Sequence, residues 1–165
     1  MIFVAEAEPS NIEAIATLAA EMDSFYGATE IEPFHSRVQQ ITDAVFSAPP
    51  AAYVLLAWDG EQLVGFAAYS FLWPAVGLTR SLYLKELYVA QTHRRTGVGT
   101  LLMQNLVETA VKHKCSRVEW TTDAPNHDAR AFYEVLGAPS NSSKVFYRLE
   151  GDSLRLARTS SRQSG

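Results

Sequence analysis

At 165 residues, with 47% hydrophobic and 19% charged side chains, the chain has the length and composition of one globular domain whose core needs neither disulfides nor structural metal. A net charge of −4 excludes the basic field that nucleic-acid binding requires, and the longest apolar run, residues 51–58, is too short for a membrane span. The lone Cys115 excludes an internal disulfide framework, and residues 1–10 lack the basic and apolar regions of a signal peptide, so a cytoplasmic location is expected.

Residues 1–6 read as a short strand. Ser10 and Glu13 form a capping-box pattern ahead of Ile12, Ile15, Leu18, Ala19 and Met22, which recur at helical spacing until Gly27. A second amphipathic stretch covers residues 34–46 and stops at Pro49 and Pro50. Residues 52–58, the Asp59-Gly60 turn and residues 62–71 predict a β-hairpin. Pro74 and Gly77 break the chain before a strand at 81–90. A helix opens at Gly97 and runs to Lys114 with Val98, Leu101, Leu102, Leu106 and Ala110 on one side. A strand at 117–122, a helix at 126–136 closed by Gly137, and a last strand at 144–149 follow. From Gly151 the chain is rich in Ser, Arg and Gln, which predicts a flexible tail over 151–165 behind a single domain at 1–150. The order β-α-α-β-β-β-α-β-α-β predicts a mixed α/β (α+β) domain with helices flanking one sheet.

Between the strand at 81–90 and the next helix lies Arg94-Arg95-Thr96-Gly97-Val98-Gly99-Thr100. Two glycines at a helix start let a ligand approach the backbone, and the free N–H groups with the positive helix end form an anion site, with Arg94 and Arg95 adding charge. A Walker A loop is excluded because Thr100-Leu101 follows Gly99, and a dinucleotide fingerprint because Leu102 stands where a third glycine is needed. A flexible helix start would account for the glycines, though not for the preceding Arg-Arg or the position directly after a strand.

Further on, Asn126 is a good helix N-cap, and Tyr133 follows seven residues later on the same face, with Gly137-Ala138 closing the segment. Each residue alone suits a cap or a half-buried aromatic. Together with the glycine loop, they resemble the GNAT acetyltransferase superfamily: 94–99 matches R/Q-x-x-G-x-G/A, and 126–138 matches N-x(6)-Y-x(3)-G-A. The diamine acetyltransferases of the spermidine/spermine type are the most similar subgroup, over about residues 1–150.

The resemblance implies a GNAT fold with a single, mostly antiparallel mixed sheet, and acetyl-CoA as acyl donor to a small-molecule amine. It implies that the amides of Arg94, Arg95, Thr96, Gly97, Val98, Gly99 and Thr100 cradle the pyrophosphate. The backbone of Leu87, Tyr88 and Val89, at a bulge, would pair with the pantetheine arm. Asn126 would bind the same arm, and Tyr133 would protonate the departing thiolate, a sensible match since a phenol titrates near that basicity. A homodimer is implied as well; no metal is, because His35, His93, His113, His127 and Cys115 show no ligand spacing.

The acceptor half departs from the pattern. Where the diamine enzymes place a glutamate the chain has Lys85, and where the histone-acetylating relatives place theirs it has Tyr83. Glu86 is adjacent, but strand alternation turns it to the opposite face unless the bulge intervenes. The base is therefore open between Glu86, Tyr83 through water, and a water relay. Lys85 suits an acceptor bearing a carboxylate or phosphate, or else reaches into solvent. Tyr26, Glu30 and Trp73 lie in loops that wall the acceptor site in this family, and Glu30 with Glu32 would favour a cationic acceptor instead. Two alternatives stay open: a protein lysine or N-terminal acetyltransferase, and a CoA-binding module without turnover.

Overall fold

The computed structural model describes residues 1–140 and 143–160. The chain forms two compact units, Met1–Asp123 and Ala124 onward, each taken by itself below.

The first unit contains a five-stranded sheet in the order β1-β2-β3-β4-β5: β1 (Ile2–Glu6), β2 (Tyr53–Asp59), β3 (Gln62–Leu72), β4 (Arg80–Val89) and β5 (Cys115–Trp120). Strands β1 to β4 are successively antiparallel, and β4 pairs with β5 in parallel, so the sheet is mixed as expected. The parallel step needs a crossover, which α3 (Val98–Lys112) supplies. The β2–β3 connection turns at Gly60, whose φ of +60° suits the Asp-Gly hairpin signal.

Helices α1 (Ile12–Phe25) and α2 (Phe34–Val45) cover one face of the sheet. Ile15 and Leu18 of α1 pack with Val54, Leu56, Leu63, Phe66 and Tyr88 of the strands, and Ile41 and Val45 of α2 close that core. Arg37 of α2 is buried and donates from Nε to the Ala16 carbonyl and from its guanidinium to Asp23, joining the two helices. The other face takes α3, and Gly65 of β3 sets how closely. A Cβ there would lie 3.0 Å from Val98 Cγ1, 3.1 Å from the Tyr88 carbonyl oxygen and 3.2 Å from Leu102 Cδ1.

The capping box at Ser10 and Glu13 does not form. Pro9 instead starts a 3-10 turn over Pro9–Asn11, and Asn11 Oδ1 accepts from Glu8 N at 2.8 Å, so the helix begins after that turn. The strand expected at 117–122 begins two residues earlier, at Cys115.

In the second unit, α4 (His127–Val135) follows Asn126, and Gly137, at φ +81°, ends it. The strand expected at 144–149 is absent: the segment has no regular structure, and Val145, Phe146, Tyr147 and Leu149 are exposed. Where a flexible tail was expected, Gly151–Ser160 form helix α5, with Asp152 in its first turn and Arg158 in its last, charges that complement the helix dipole. Residues 161–165 of that expected tail lie outside the described residues. Among the described residues no helix is long and apolar enough to cross a membrane.

Candidate active site

Strand β4 decides the geometry. Gly65, Phe66, Ala67 and Ala68 of β3 stand opposite Val89, Tyr88, Leu87 and Glu86 in turn, but the next residue, Tyr69, stands opposite Leu84. Lys85 is thus an extra residue, a β-bulge. Because opposed residues share a face, Ser70 opposite Tyr83 and Ala68 opposite Glu86 put Tyr83 and Glu86 on the same side. That side also carries Phe66 and Tyr88, the side covered by α1 and α2. Alternation counted from Tyr83 puts Glu86 on the opposite face; the bulge at Lys85 instead brings Tyr83 onto the side that Glu86 shares with Tyr88.

Pairing with β5 runs only from Arg80 to Leu84, opposite Trp120, so beyond Leu84 this edge of β4 carries no strand among the described residues. Ala90 N donates to the Val64 carbonyl at 2.8 Å, which marks a hydrogen-bonded pair. By antiparallel alternation Tyr88 and Glu86 spend their backbone groups on β3, while Leu87 and Val89 direct theirs to the open edge. Of the three positions expected to pair with an extended ligand arm, Leu87 and Val89 offer backbone groups at the open edge, whereas Tyr88 does not, since its groups go to β3.

The chain then passes through a short 3-10 turn, Gln91–His93, into the glycine loop. Arg95 has φ +60° and Gly97 φ +89°, both left-handed, and α3 starts at Val98. Such alternation gathers successive N–H groups into an anion-binding concavity, and the amides of Val98, Gly99 and Thr100 have no intrahelical acceptor. Val98 itself is buried; Thr96 bonds back to the His93 carbonyl, and a Cβ added at Gly97 would meet nothing within 4 Å. The loop can therefore hold a phosphate, and its concavity is open.

The two arginines differ from expectation. Arg94 turns back toward α1: its guanidinium lies 3.9 Å from the Phe25 ring centroid and 5.5 Å from that of Tyr88, and its Nε donates to the Val89 carbonyl at 3.3 Å. The guanidinium thus stacks on two rings while the residue stays exposed. Arg95 stays exposed and carries the charge there.

Around Glu86 the environment is both apolar and acidic. Burial first, then Asp23 and Asp123, push its carboxyl above the ordinary value, while the neighbouring Lys85 pulls it down. Tyr26, at the end of α1, is shifted up in turn, by burial and then by the Glu86 charge. Its ring lies 5.3 Å from Phe25 and 6.5 Å from Tyr88. Tyr26, Glu86 and Tyr88 thus form one cluster, with Tyr83 three residues upstream on the same face. Lys85 is exposed at the bulge, and Glu30 is exposed in the loop after α1. Trp73 is also exposed; its Nε1 donates to the Leu78 carbonyl of its own loop at 2.9 Å.

In the second unit, Asn126 Oδ1 accepts from Ala129 N at 3.2 Å, so its capping role is filled. Tyr133 is half-buried on α4, its ring 5.2 Å from that of Phe132, and its carbonyl accepts from Ala138 N. Among the described residues no group of three or more His, Cys, Asp or Glu could hold a metal ion.

Sequence reasoning missed Glu21, Asp23 and Asp123. Glu21 precedes Phe25 by one helical turn, and that spacing was the available signal.

The glycine loop offers free helix-start amides, and the β4 edge beyond Leu84 offers backbone groups without a neighbouring strand among the described residues, an arrangement chemically suited to an extended phosphate-bearing ligand. The model of the Acetyltransferase (GNAT) family matches residues 13–138, and the chain belongs to that family. It is 30% identical over 153 residues to a D-amino-acid N-acetyltransferase of Saccharomyces cerevisiae, a match that covers 91% of both chains. It is 31% identical over 93 residues to an L-ornithine N5-acetyltransferase of Arabidopsis thaliana, covering 56% of this chain and only 41% of that enzyme. An integron cassette protein from the mobile metagenome of V. cholerae superposes with a TM-score of 0.89 at 27% identity, over 95% of this chain and 97% of that one.

Proposed function

We propose that the chain is an acetyl-CoA-dependent N-acetyltransferase acting on the primary amine of a small, amino-acid-like acceptor, by direct attack within a ternary complex. The observation that carries this reading is the bulge at Lys85, which brings Tyr83 onto the face that Glu86 shares with Tyr88, beside the open edge of β4. The relatives that act on D-amino acids and on ornithine support the acceptor class.

The donor's pyrophosphate takes the amides of the 94–100 loop and the charge of Arg95, and its pantetheine arm takes the backbone of Leu87 and Val89. An amine arrives as an ammonium ion and must lose a proton before it can attack. Glu86, whose carboxyl burial raises above its ordinary value, is the group that accepts that proton, directly or through a water held by Tyr83. The amine nitrogen then bonds to the acetyl carbon, and as the carbon–sulfur bond breaks the Tyr133 phenol gives its proton to the CoA thiolate and is restored by the second proton that the nitrogen sheds in becoming an amide. Lys85, exposed beside Glu86, suits the acceptor's carboxylate, while Tyr26 and Asp23 suit its cationic end. Asn126 is proposed to bind the donor arm, and Trp73 and Glu30 to border the acceptor. The proposal includes a cytoplasmic homodimer, which sedimentation of the purified protein tests for assembly.

Thiol release from acetyl-CoA, measured against ornithine, D-amino acids, spermidine and a lysine peptide, tests the reading, with Glu86→Gln and Tyr133→Phe as controls. Release with amino acids that each variant lowers about 100-fold is expected. Efficient turnover of spermidine or the peptide alone would overturn the acceptor assignment. CoA binding without release on any amine would leave a binding module.

A further inference from the structure

Helix α1 grips the base of the glycine loop by two side chains one turn apart. Glu21 Oε1 accepts from the Tyr88 hydroxyl and from the Gln91 backbone N–H, each at 2.9 Å. Phe25, four residues on, carries the Arg94 guanidinium on its ring at 3.9 Å. The platform is rigid, because Ile15 and Leu18 of the same helix are buried in the core. The loop is not: Gln91, Thr92 and residues 94–97 are exposed, so it has little packing of its own. Besides the Glu21 and Arg94 contacts, what holds its base is His93, whose Nε2 lies 3.3 Å from Asp59 Oδ2.

We infer that Glu21 is a positioning residue for the acyl donor: by fixing the Gln91 amide and the Tyr88 hydroxyl together, it holds the loop amides in their anion-binding arrangement before the donor arrives. The physical basis is preorganisation. A loop already ordered loses less conformational entropy when the phosphate binds, so affinity rises without a new contact to ligand. One carboxylate oxygen serves both donors, and an ionised acceptor makes stronger hydrogen bonds than a neutral one. Glu21 also links the two halves of the site, since Tyr26 follows Phe25 on the same helix end and stands beside Glu86. The inference rests on the donor reading above.

The test is CoA binding by titration calorimetry on the whole chain, with kcat and KM alongside, for Glu21→Ala and Glu21→Gln. Loss of the anchor is expected to weaken CoA binding about tenfold in Glu21→Ala while kcat at saturating donor stays within about threefold. Glu21→Gln, whose neutral amide oxygen accepts the same two bonds more weakly, is expected to fall between, and it decides the matter should the alanine variant not fold. Faster hydrogen exchange at the Gln91 amide is expected alongside. A merely structural role would lower the melting temperature and leave Kd unchanged, and that result overturns the inference alone. A wild-type protein that binds no CoA overturns the donor reading and this inference together.

Discussion

Tyr83 and Glu86 stand three residues apart on β4 yet share one face of the sheet, because Lys85 between them has no partner on β3. In a regular strand three residues separate opposite faces. The bulge therefore gathers Tyr83 with Glu86 on the side of Tyr88 and α1, in a chain where Tyr83 and Lys85 stand at the positions expected to carry a carboxylate.

Glu86→Gln is expected to lower kcat/KM about 100-fold, the usual scale for loss of a general base. Its carboxylate must be ionised to accept a proton, and burial raises its pKa, so activity falls as pH drops through that raised value. The variant should lose this acid limb, which a pH profile of kcat/KM reads directly. Stability moves the other way. A carboxyl whose folded pKa is raised contributes most below its unfolded value and loses that contribution as pH rises through the folded pKa. Glu86→Gln should thus melt above wild type at neutral pH, with the gap closing as pH falls toward 4.5.

Tyr133→Phe keeps the ring and its contact with Phe132 but removes the phenolic proton. A fall in kcat of about 100-fold with both KM values within about threefold is expected if that proton goes to the leaving thiolate. Steady-state kinetics with both substrates varied checks this, and an unchanged kcat would remove Tyr133 from the chemistry.

Lys85→Ala separates two acceptor classes. Removal of the exposed ammonium should raise KM for ornithine or a D-amino acid about tenfold while leaving that for spermidine unchanged or lower. Equal effects on both acceptors would mean that Lys85 only reaches into solvent.

Two glycines should fail for different reasons. Gly65→Ala pushes a Cβ to within 3.0–3.2 Å of Val98, Leu102 and the Tyr88 carbonyl. It is expected to cost about 1–3 kcal/mol in urea unfolding, the usual cost of overpacking. Gly97→Ala meets no atom but must hold φ +89°, at roughly 1–2 kcal/mol. Relaxing that strain would reshape the anion loop, so KM for acetyl-CoA should rise in Gly97→Ala more than in Gly65→Ala.

Much of the architecture was legible because its signals are local. Asp59-Gly60 sets the hairpin by turn chemistry, and the periodicity of α1, α2 and α3 sets helices to within a few residues. The glycine loop was legible for the same reason: left-handed φ at Gly97 and free helix-start amides belong to a short stretch of chain. Where the reading erred, a competing local interaction won. Pro9 started a 3-10 turn, and the capping box formed between Glu8 and Asn11 instead of Ser10 and Glu13. The apolar run at 145–149 has strand character, but a strand needs a partner edge, and alternating side chains alone do not supply one.

The amino-acid sequence by itself determined the order of elements as far as α4 and the family to which the chain belongs, since their signals lie among neighbours within a few residues. Only the tertiary structure decided which way Glu86 faces, that Arg94 leaves the loop for Phe25, and that Glu21 reaches Tyr88 and Gln91 across 67 and 70 residues of chain. Those outcomes depend on cross-strand register and on which helix packs over which strand, and no short window of sequence contains either.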